Sequence, residues 1–313
     1  MRIVSLLPSI TEICYALGLG DQVVAVTHEC DFPPAATKKP QITRNVLPPG
    51  ITDSAEIDRL VRERVSQGLP IYALDVALLA QLDPDLILTQ ELCPVCAVSY
   101  EDVMTIARTL PRMPRVISIE PTSVDGVLES IRTVGAATDR TGVADSVVDA
   151  LRHRINWITQ RISEVGGSPR RVVCLEWLSP LMIGGHWVPE MVTLAGGNDV
   201  LGVAGTPTAV IDWEQVVKAA PDVLVLMPCG NGLDHTVGEA AILRDLPNLE
   251  AVPAVRHEQV YAVDGSSYFN RPGPRLVTGI EILAEIFHPE AFGGISPEHA
   301  MQLVQLLPLE APR

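Results

Sequence analysis

The amino-acid sequence predicts an α/β protein of two Rossmann-like lobes, each with a parallel sheet, joined by one long α-helix and holding a ligand in the cleft between them. Three observations predict it. Short, continuously apolar segments alternate with helical patterns in both halves of the chain, as strands covered on both faces of a parallel sheet do. Between the halves, Val143, Val147, Val148, Leu151, Ile155, Ile158 and Ile162 form one helical stripe that ends at Gly166-Gly167. Pro84-Asp85-Leu86-Ile87-Leu88 is echoed by Pro221-Asp222-Val223-Leu224-Val225, which points to two lobes on one plan. The expected organisation is an N-terminal α/β lobe over 1–140, a connecting helix over 141–167 and a C-terminal α/β lobe over 168–313.

Each element has its own signal. Residues 2–6 read as a buried strand, and Ser9-Ile10-Thr11-Glu12 has the form of a capping box for a helix that ends before Gly18 and Gly20. A second strand over 22–26 leads to a Pro-rich loop through Pro49 and a helix over 53–67. A short helix over 77–82 precedes Asp83-Pro84 and the apolar strand 85–89. A helix over 100–110, a strand over 115–119 and a helix over 123–137 follow. In the second half, strands over 171–175, 222–227 and 259–263 alternate with helices over 189–195, 213–219, 237–243 and 274–286. Trp157, within the long helix, and Trp213, at a helix start, read as packing residues.

Composition narrows the function classes. Of the 313 residues, 47% are hydrophobic and 19% charged, enough for a large core and too apolar for a disordered chain. The formal net charge of −15 disfavours nucleic acid and anionic membrane surfaces, because binding phosphate needs clustered Lys and Arg. No apolar run reaches the roughly 18 residues of a membrane span, so no membrane insertion is expected. The chain opens Met1-Arg2-Ile3-Val4-Ser5-Leu6-Leu7-Pro8, directly in a strand and without a secretory signal pattern, which predicts a cytoplasmic protein. An exported form would work in the periplasm or outside the cell. Six cysteines in a cytoplasmic chain read as thiols or metal ligands before disulfides; Cys14 in a helix and Cys174 in a strand read as core thiols. The nucleophile elbow, Walker A loop, zincin motif and dinucleotide fingerprint are all missing, so nucleophilic catalysis has little support.

Ligands of open parallel sheets bind beyond the carboxyl ends of the strands. The candidates are therefore the residues that follow each strand. These are Thr27-His28-Glu29-Cys30, then Gln90-Glu91-Leu92-Cys93-Pro94-Val95-Cys96, then Glu176-Trp177 with Gly184-Gly185-His186-Trp187, then Pro228-Cys229-Gly230, and finally Asp264 to Arg271 with Tyr268. A subset of His28, Cys30, Cys93, Cys96, His186 and Cys229 has the donor chemistry for a transition metal, whereas Cys93-x-x-Cys96 alone also fits a disulfide, a redox pair or plain loop residues. Trp177 and Trp187 beside glycines suit a flat ligand or core packing, because glycine lets a bulky group approach the backbone. Arg271 reads as a surface charge or as an anchor for a carboxylate, amide or phosphate oxygen.

Arg2-Ile3-Val4-Ser5-Leu6-Leu7-Pro8-Ser9-Ile10-Thr11-Glu12, followed by Ala16-Leu17-Gly18-Leu19-Gly20, resembles the opening of the helical-backbone (class III) substrate-binding proteins of ABC importers. Ala195-Gly196-Gly197, Trp213-Glu214-Gln215-Val216, Pro221-Asp222-Val223 and Pro274-Arg275-Leu276 continue that family's order over nearly the whole chain. The similarity is strongest to the cobalamin-binding branch. It implies two lobes joined by a long helix, limited hinge motion, a corrinoid as ligand and, for an exported form, an ABC permease as partner. Arg271 falls where that branch has a cleft arginine; Ser267 and Thr208 stand at or near positions where it has an acidic residue and a tryptophan.

Three readings follow. In the first, a non-catalytic corrinoid binder contacts its ligand through His28, Glu91, Glu176, Trp177, His186, Trp187, Tyr268 and Arg271. The second keeps the fold and exchanges the ligand for haem, an iron chelate or a transition metal such as zinc, held by Cys and His. The third is an enzyme that uses Glu91, Glu176 or the Cys93/Cys96 pair on a cofactor in the same cleft.

Overall fold

The computed structural model describes residues 1–91 and 98–304. These fall into two compact units: Met1–Thr52, Glu56–Pro121 and Asp125–Ala150 form the first, and Asp53–Ala55, Thr122–Val124 and the chain from Leu151 onward form the second. No helix among the described residues is long and apolar enough to cross a membrane.

The strands of the first unit are β1 (Ile3–Ser5), β2 (Val23–Ala25), β3 (Thr43–Asn45), β4 (Tyr72–Leu74), β5 (Leu86–Thr89) and β6 (Arg115–Ser118). The helices in order are α1 (Pro8–Ala16), α2 (Ser54–Ser66), α3 (Val76–Leu82), α4 (Tyr100–Ala107), α5 (Val124–Ala137) and α6 (Thr141–Val165). Four strands make a wholly parallel sheet in the order β2-β1-β5-β6, with Ile3 opposite Leu86 and Leu86 opposite Arg115. Val4, Leu6, Ala25, Ile87 and Val103 pack into one core, and burial of such side chains is the main favourable term, at about 1.5–3 kcal/mol each. The Pro-rich stretch expected to be a loop contains β3, which pairs with β4 as a separate antiparallel ribbon. Both strands have three residues, too few for an alternation to stand out. The capping box expected at Ser9 does not form. Pro8 occupies the first helical turn, Leu7 is the N-cap, and Thr11 Oγ1 lies within hydrogen-bond distance of Leu7 O and Ser5 Oγ.

The second unit holds β7 (Arg170–Leu178), β8 (Leu181–Ile183), β9 (Gly197–Asp199), β10 (Ala209–Val210), β11 (Val223–Leu226), β12 (Val260–Val263) and β13 (Ala300–Gln302). Its helices are α7 (Val188–Leu194), α8 (Trp213–Ala219), α9 (Leu233–Glu239), α10 (Pro253–Arg256), α11 (Gly265–Tyr268), α12 (Leu276–Phe287) and α13 (Pro289–Phe292). The sheet runs β10-β8-β7-β11-β12-β13, with β9 also on β7. Among the described residues β7, β9, β11 and β12 form the expected parallel part of this sheet, and β8, β10 and β13 join it by antiparallel pairing. The additions come from a hairpin continuing β7 through Trp177 and from a strand laid on the far edge. The helix α6 contributes Thr141 to Ala150 to the first unit and Leu151 to Val165 to the second. Within the second unit Arg154 binds Glu281 through two nitrogens, at 2.8 and 2.6 Å, and pins that helix to α12. Trp213 is buried with its indole N–H on Pro247 O at 2.9 Å. Trp157, expected to pack, is 53% exposed and meets the Phe292 ring edge-on at 5.6 Å, because it lies on the solvent side of its helix.

Candidate functional site

The parallel strands of each unit end at an edge where loops collect the candidate side chains. In the first unit, Val26 carries the chain out of β2 into Thr27 and His28. The β3–β4 ribbon then holds the imidazole. His28 N donates to Thr43 Oγ1 at 3.2 Å, and His28 Nδ1 shares a hydrogen bond with the same oxygen at 2.8 Å. The Tyr72 ring lies 5.3 Å from the His28 ring, and Tyr72 OH donates to Glu29 Oε1 at 3.4 Å. His28 Nε2 is buried, has no hydrogen-bond partner among the described residues and stands 3.7 Å from Glu29 Oε1. Burial lowers the His28 pKa, with the Glu29 charge opposing, so the ring is neutral at neutral pH. Glu91 is exposed, next to residues 92–97. Cys93 and Cys96 lie outside the described residues.

In the second unit the register of β7 against β8 shifts between Leu175 and Trp177, so Glu176 sits at a bulge. A bulge re-aims a side chain that would otherwise alternate with its neighbours. Glu176 Oε2 accepts from Thr208 Oγ1 at 2.9 Å and from Gly185 N at 3.4 Å, and the Asn270 side chain lies beside the same carboxyl. Desolvation holds the Glu176 pKa above its ordinary value, and these hydrogen bonds pull it back only in part. The amide nitrogen of Asn270 donates to Gly265 O at 2.6 Å and to Met227 O at 3.3 Å, tying the end of β11 to α11.

His186 follows in a left-handed backbone conformation, φ +50°, which a residue with a Cβ adopts only when its surroundings require it. Its N–H donates to Thr206 O at 2.6 Å, and its carbonyl accepts from Gly205 N at 2.8 Å. The ring stacks on Trp187 at 5.6 Å, its Nδ1 is buried without a partner among the described residues, and burial lowers its pKa. Trp187 itself is buried, with its indole N–H on Phe269 O at 2.7 Å. The half-buried Trp177 donates to Ser179 O at 2.9 Å. The half-buried Tyr268 ring meets His299 edge-on at 5.1 Å and lies 5.6 Å beneath the Arg275 guanidinium. Arg271 follows Asn270 and is half-buried.

One expectation changes here. Gly184 and Gly185 do not make room for a flat ligand. A Cβ on Gly185 would stand 2.4 Å from Thr208 N and 2.6 Å from the Pro207 carbonyl carbon, and one on Gly184 would meet Val188 Cγ1 at 2.7 Å. The space they save is filled by the protein's own 206–208 loop and by α7. Among the described residues no group of three or more His, Cys, Asp and Glu is placed to hold an ion; Cys93 and Cys96, two of the six expected donors, lie outside them. Cys30 is buried, with Sγ 3.1 Å from Thr11 Oγ1. Cys229 is exposed, and its N–H donates to Glu176 O at 3.0 Å. Cys14 and Cys174 are buried, and desolvation pushes the Cys14 thiol up to about 12. Sequence reasoning missed Thr43, Tyr72 and Asn270 as supports of these faces, and read Thr208 only by resemblance. None lies in a motif; their roles come from pairings between segments far apart in the chain.

The model of the periplasmic binding protein family matches residues 3–266. The chain belongs to that family. Periplasmic binding proteins are substrate-binding components and not enzymes, so the chain is a non-catalytic binder of a small-molecule ligand. An ABC transporter substrate-binding lipoprotein of Bacillus subtilis is 28% identical over 303 residues, 93% of this chain and 81% of the relative. The vitamin B12-binding protein of Vibrio cholerae is 23% identical over 289 residues, 90% of this chain and 86% of its own. Among solved structures, the periplasmic heme-binding protein RhuT of Roseiflexus sp. RS-1 in apo form superposes with a TM-score of 0.69 at 26% identity, covering 93% of this chain and 98% of that one. The first of these is described as a lipoprotein and the last as periplasmic, which leaves the cytoplasmic expectation without support.

Proposed function

We propose that this periplasmic binding protein takes up a corrinoid, cobalamin first, and presents it to an ABC permease. The observation that carries the reading is the pair of relatives, each aligned over at least nine-tenths of the chain, described as binders of vitamin B12 and of heme. Both ligands are large flat macrocycles around a metal. The residues at the strand ends have matching chemistry. The Trp177 and Tyr268 rings offer apolar contact, Arg271 offers a guanidinium for amide or carboxylate oxygens, and His186 offers an imidazole held neutral by burial. Neutral imidazole is the form that ligates cobalt or iron. Trp187, committed to Phe269, serves as support.

Haem is the second reading, favoured by the 26% identical heme-binding structure. Purified protein titrated separately with cobalamin and with hemin, followed by absorbance, tests both. Saturable one-to-one uptake of cobalamin is the expected result. Uptake of hemin alone would transfer the assignment to haem, and the lack of any saturable change with either would end it.

A further inference from the structure

We propose that Glu176 is the positioning residue of the second unit's ligand face: its carboxylate fastens the 184–186 turn and the 203–208 loop to the end of β7 and so sets where the His186 ring stands. In its ligand arm this rests on the macrocycle-binding reading above; in its structural arm it does not.

The geometry is that of a clamp. The bulge between Leu175 and Trp177 places Glu176 where it bonds sideways along the sheet end. One carboxylate oxygen accepts from two segments far apart in the chain, Gly185 N and Thr208 Oγ1. The same segments are joined by the two main-chain bonds of His186 to Thr206 and Gly205. Gly185 lets them meet, since any side chain there would strike the Thr208 backbone. Within this arrangement His186 is held at φ +50°. A non-glycine residue stays in that region when the surrounding bonds over-determine it, and Glu176 supplies the side-chain part of that constraint. On the other side Asn270 abuts the carboxyl and anchors the segment leading into Arg271. The clamp therefore reaches the segments that carry both polar ligand candidates of this unit. A desolvated carboxylate is a costly group to keep at a sheet end, and charge-assisted acceptance from several segments is what it does better than any neutral side chain.

The titratable groups around it are few. Cys174 lies in the same strand, its thiol pushed up by burial first and then by the Asp199 and Glu176 charges. Cys229 bonds the Glu176 carbonyl through its N–H. His186 stands on the clamped turn, and Asp264 and Arg271 flank the segment that follows β12.

The test compares wild type, Glu176→Gln, Glu176→Ala and Thr208→Val by two readouts. Without ligand, amide hydrogen exchange at Gly185, His186, Gly205 and Thr206 and the NMR shifts of the His186 ring report the turn directly. Glu176→Ala and Thr208→Val are expected to speed exchange at these four amides by about tenfold, the effect of losing one hydrogen bond to a charged group. Amides of β1, β5 and β6 should be unchanged. Glu176→Gln, which keeps one acceptor oxygen but not the charge, should restore part of the protection. With ligand, the affinity of the bound macrocycle, cobalamin or hemin, should fall about tenfold or more in Glu176→Ala and by less in Glu176→Gln. Wild-type exchange at Gly185 and His186 in Glu176→Ala would overturn the proposal. So would wild-type affinity with the turn loosened, because the clamp would then not position the ligand face. If neither macrocycle binds wild type, the functional reading fails and the exchange data still decide whether Glu176 is the clamp.

Discussion

Both units present a histidine at the carboxyl edge of a sheet, and they hold it by opposite means. In the first unit the sheet is wholly parallel and His28 is fixed by side chains from outside it, Thr43 and Tyr72 of the β3–β4 ribbon. In the second unit, antiparallel additions bring two loops against β7, and His186 is fixed through its main chain, in a left-handed conformation braced by Thr206, Gly205 and Glu176. Side-chain support can be removed while the backbone stays in place. Main-chain support cannot, since the ring moves with the loop that carries it. The second face is therefore the more sharply preset and the more easily broken by a change that touches no ligand.

The largest difference should come from Gly185→Ala. The new Cβ has 2.4 Å to Thr208 N, so backbone must shift, and overpacking of this kind costs about 1–3 kcal/mol. Urea unfolding should show the loss, and chemical-shift changes should stay within the second unit. Next is Trp187→Phe, which leaves the Phe269 carbonyl without its donor at a buried site; a loss of about 1–2 kcal/mol is expected by the same measurement. Thr43→Val is the counterpart in the first unit. It removes both His28 bonds while keeping the side-chain volume, and about 1 kcal/mol should follow, with the His28 ring mobile in NMR relaxation and its amide position unchanged. A backbone shift at His28 as large as that at His186 in Gly185→Ala would break the comparison. Trp157→Ala should change stability by no more than about 0.5 kcal/mol, since the ring is largely exposed.

The pH dependence separates the groups by sign. Burial raises the Glu176 pKa above its unfolded value. The folded state therefore holds that proton more tightly, and the associated stability is complete below the unfolded carboxyl value and lost as pH rises through the raised folded value. For His28 and His186, burial lowers the pKa. Their contribution is present above the unfolded imidazole value and lost as pH falls through the folded one. Unfolding free energies measured across pH should lose the first slope in Glu176→Gln and keep the second.

Much of the frame was legible. The apolar runs that became β5 and β11, and the stripe that became α6, are signals carried by consecutive residues, which is why periodicity finds them. The ribbon of β3 and β4 and the additions β8, β10 and β13 were not, because two or three residues cannot establish a period. The candidate faces were legible as residue types at strand ends: His28, Glu176, His186, Tyr268 and Arg271 all stand there. Their roles were not. That Glu176 meets Thr208 rather than solvent depends on a bulge, and that Gly185 admits a loop rather than a ligand depends on a contact with residues about twenty positions away. Such facts belong to the register of pairing, which a single sequence does not spell out.

The central proposal is that this periplasmic binding protein binds a corrinoid. Isothermal calorimetry of the full chain with cobalamin, alongside Arg271→Ala and His186→Ala, tests it most directly. The account predicts one saturable site in wild type, weakened about tenfold by each substitution with folding intact. Heat indistinguishable from dilution in wild type, or equal affinity in all three proteins, would contradict it.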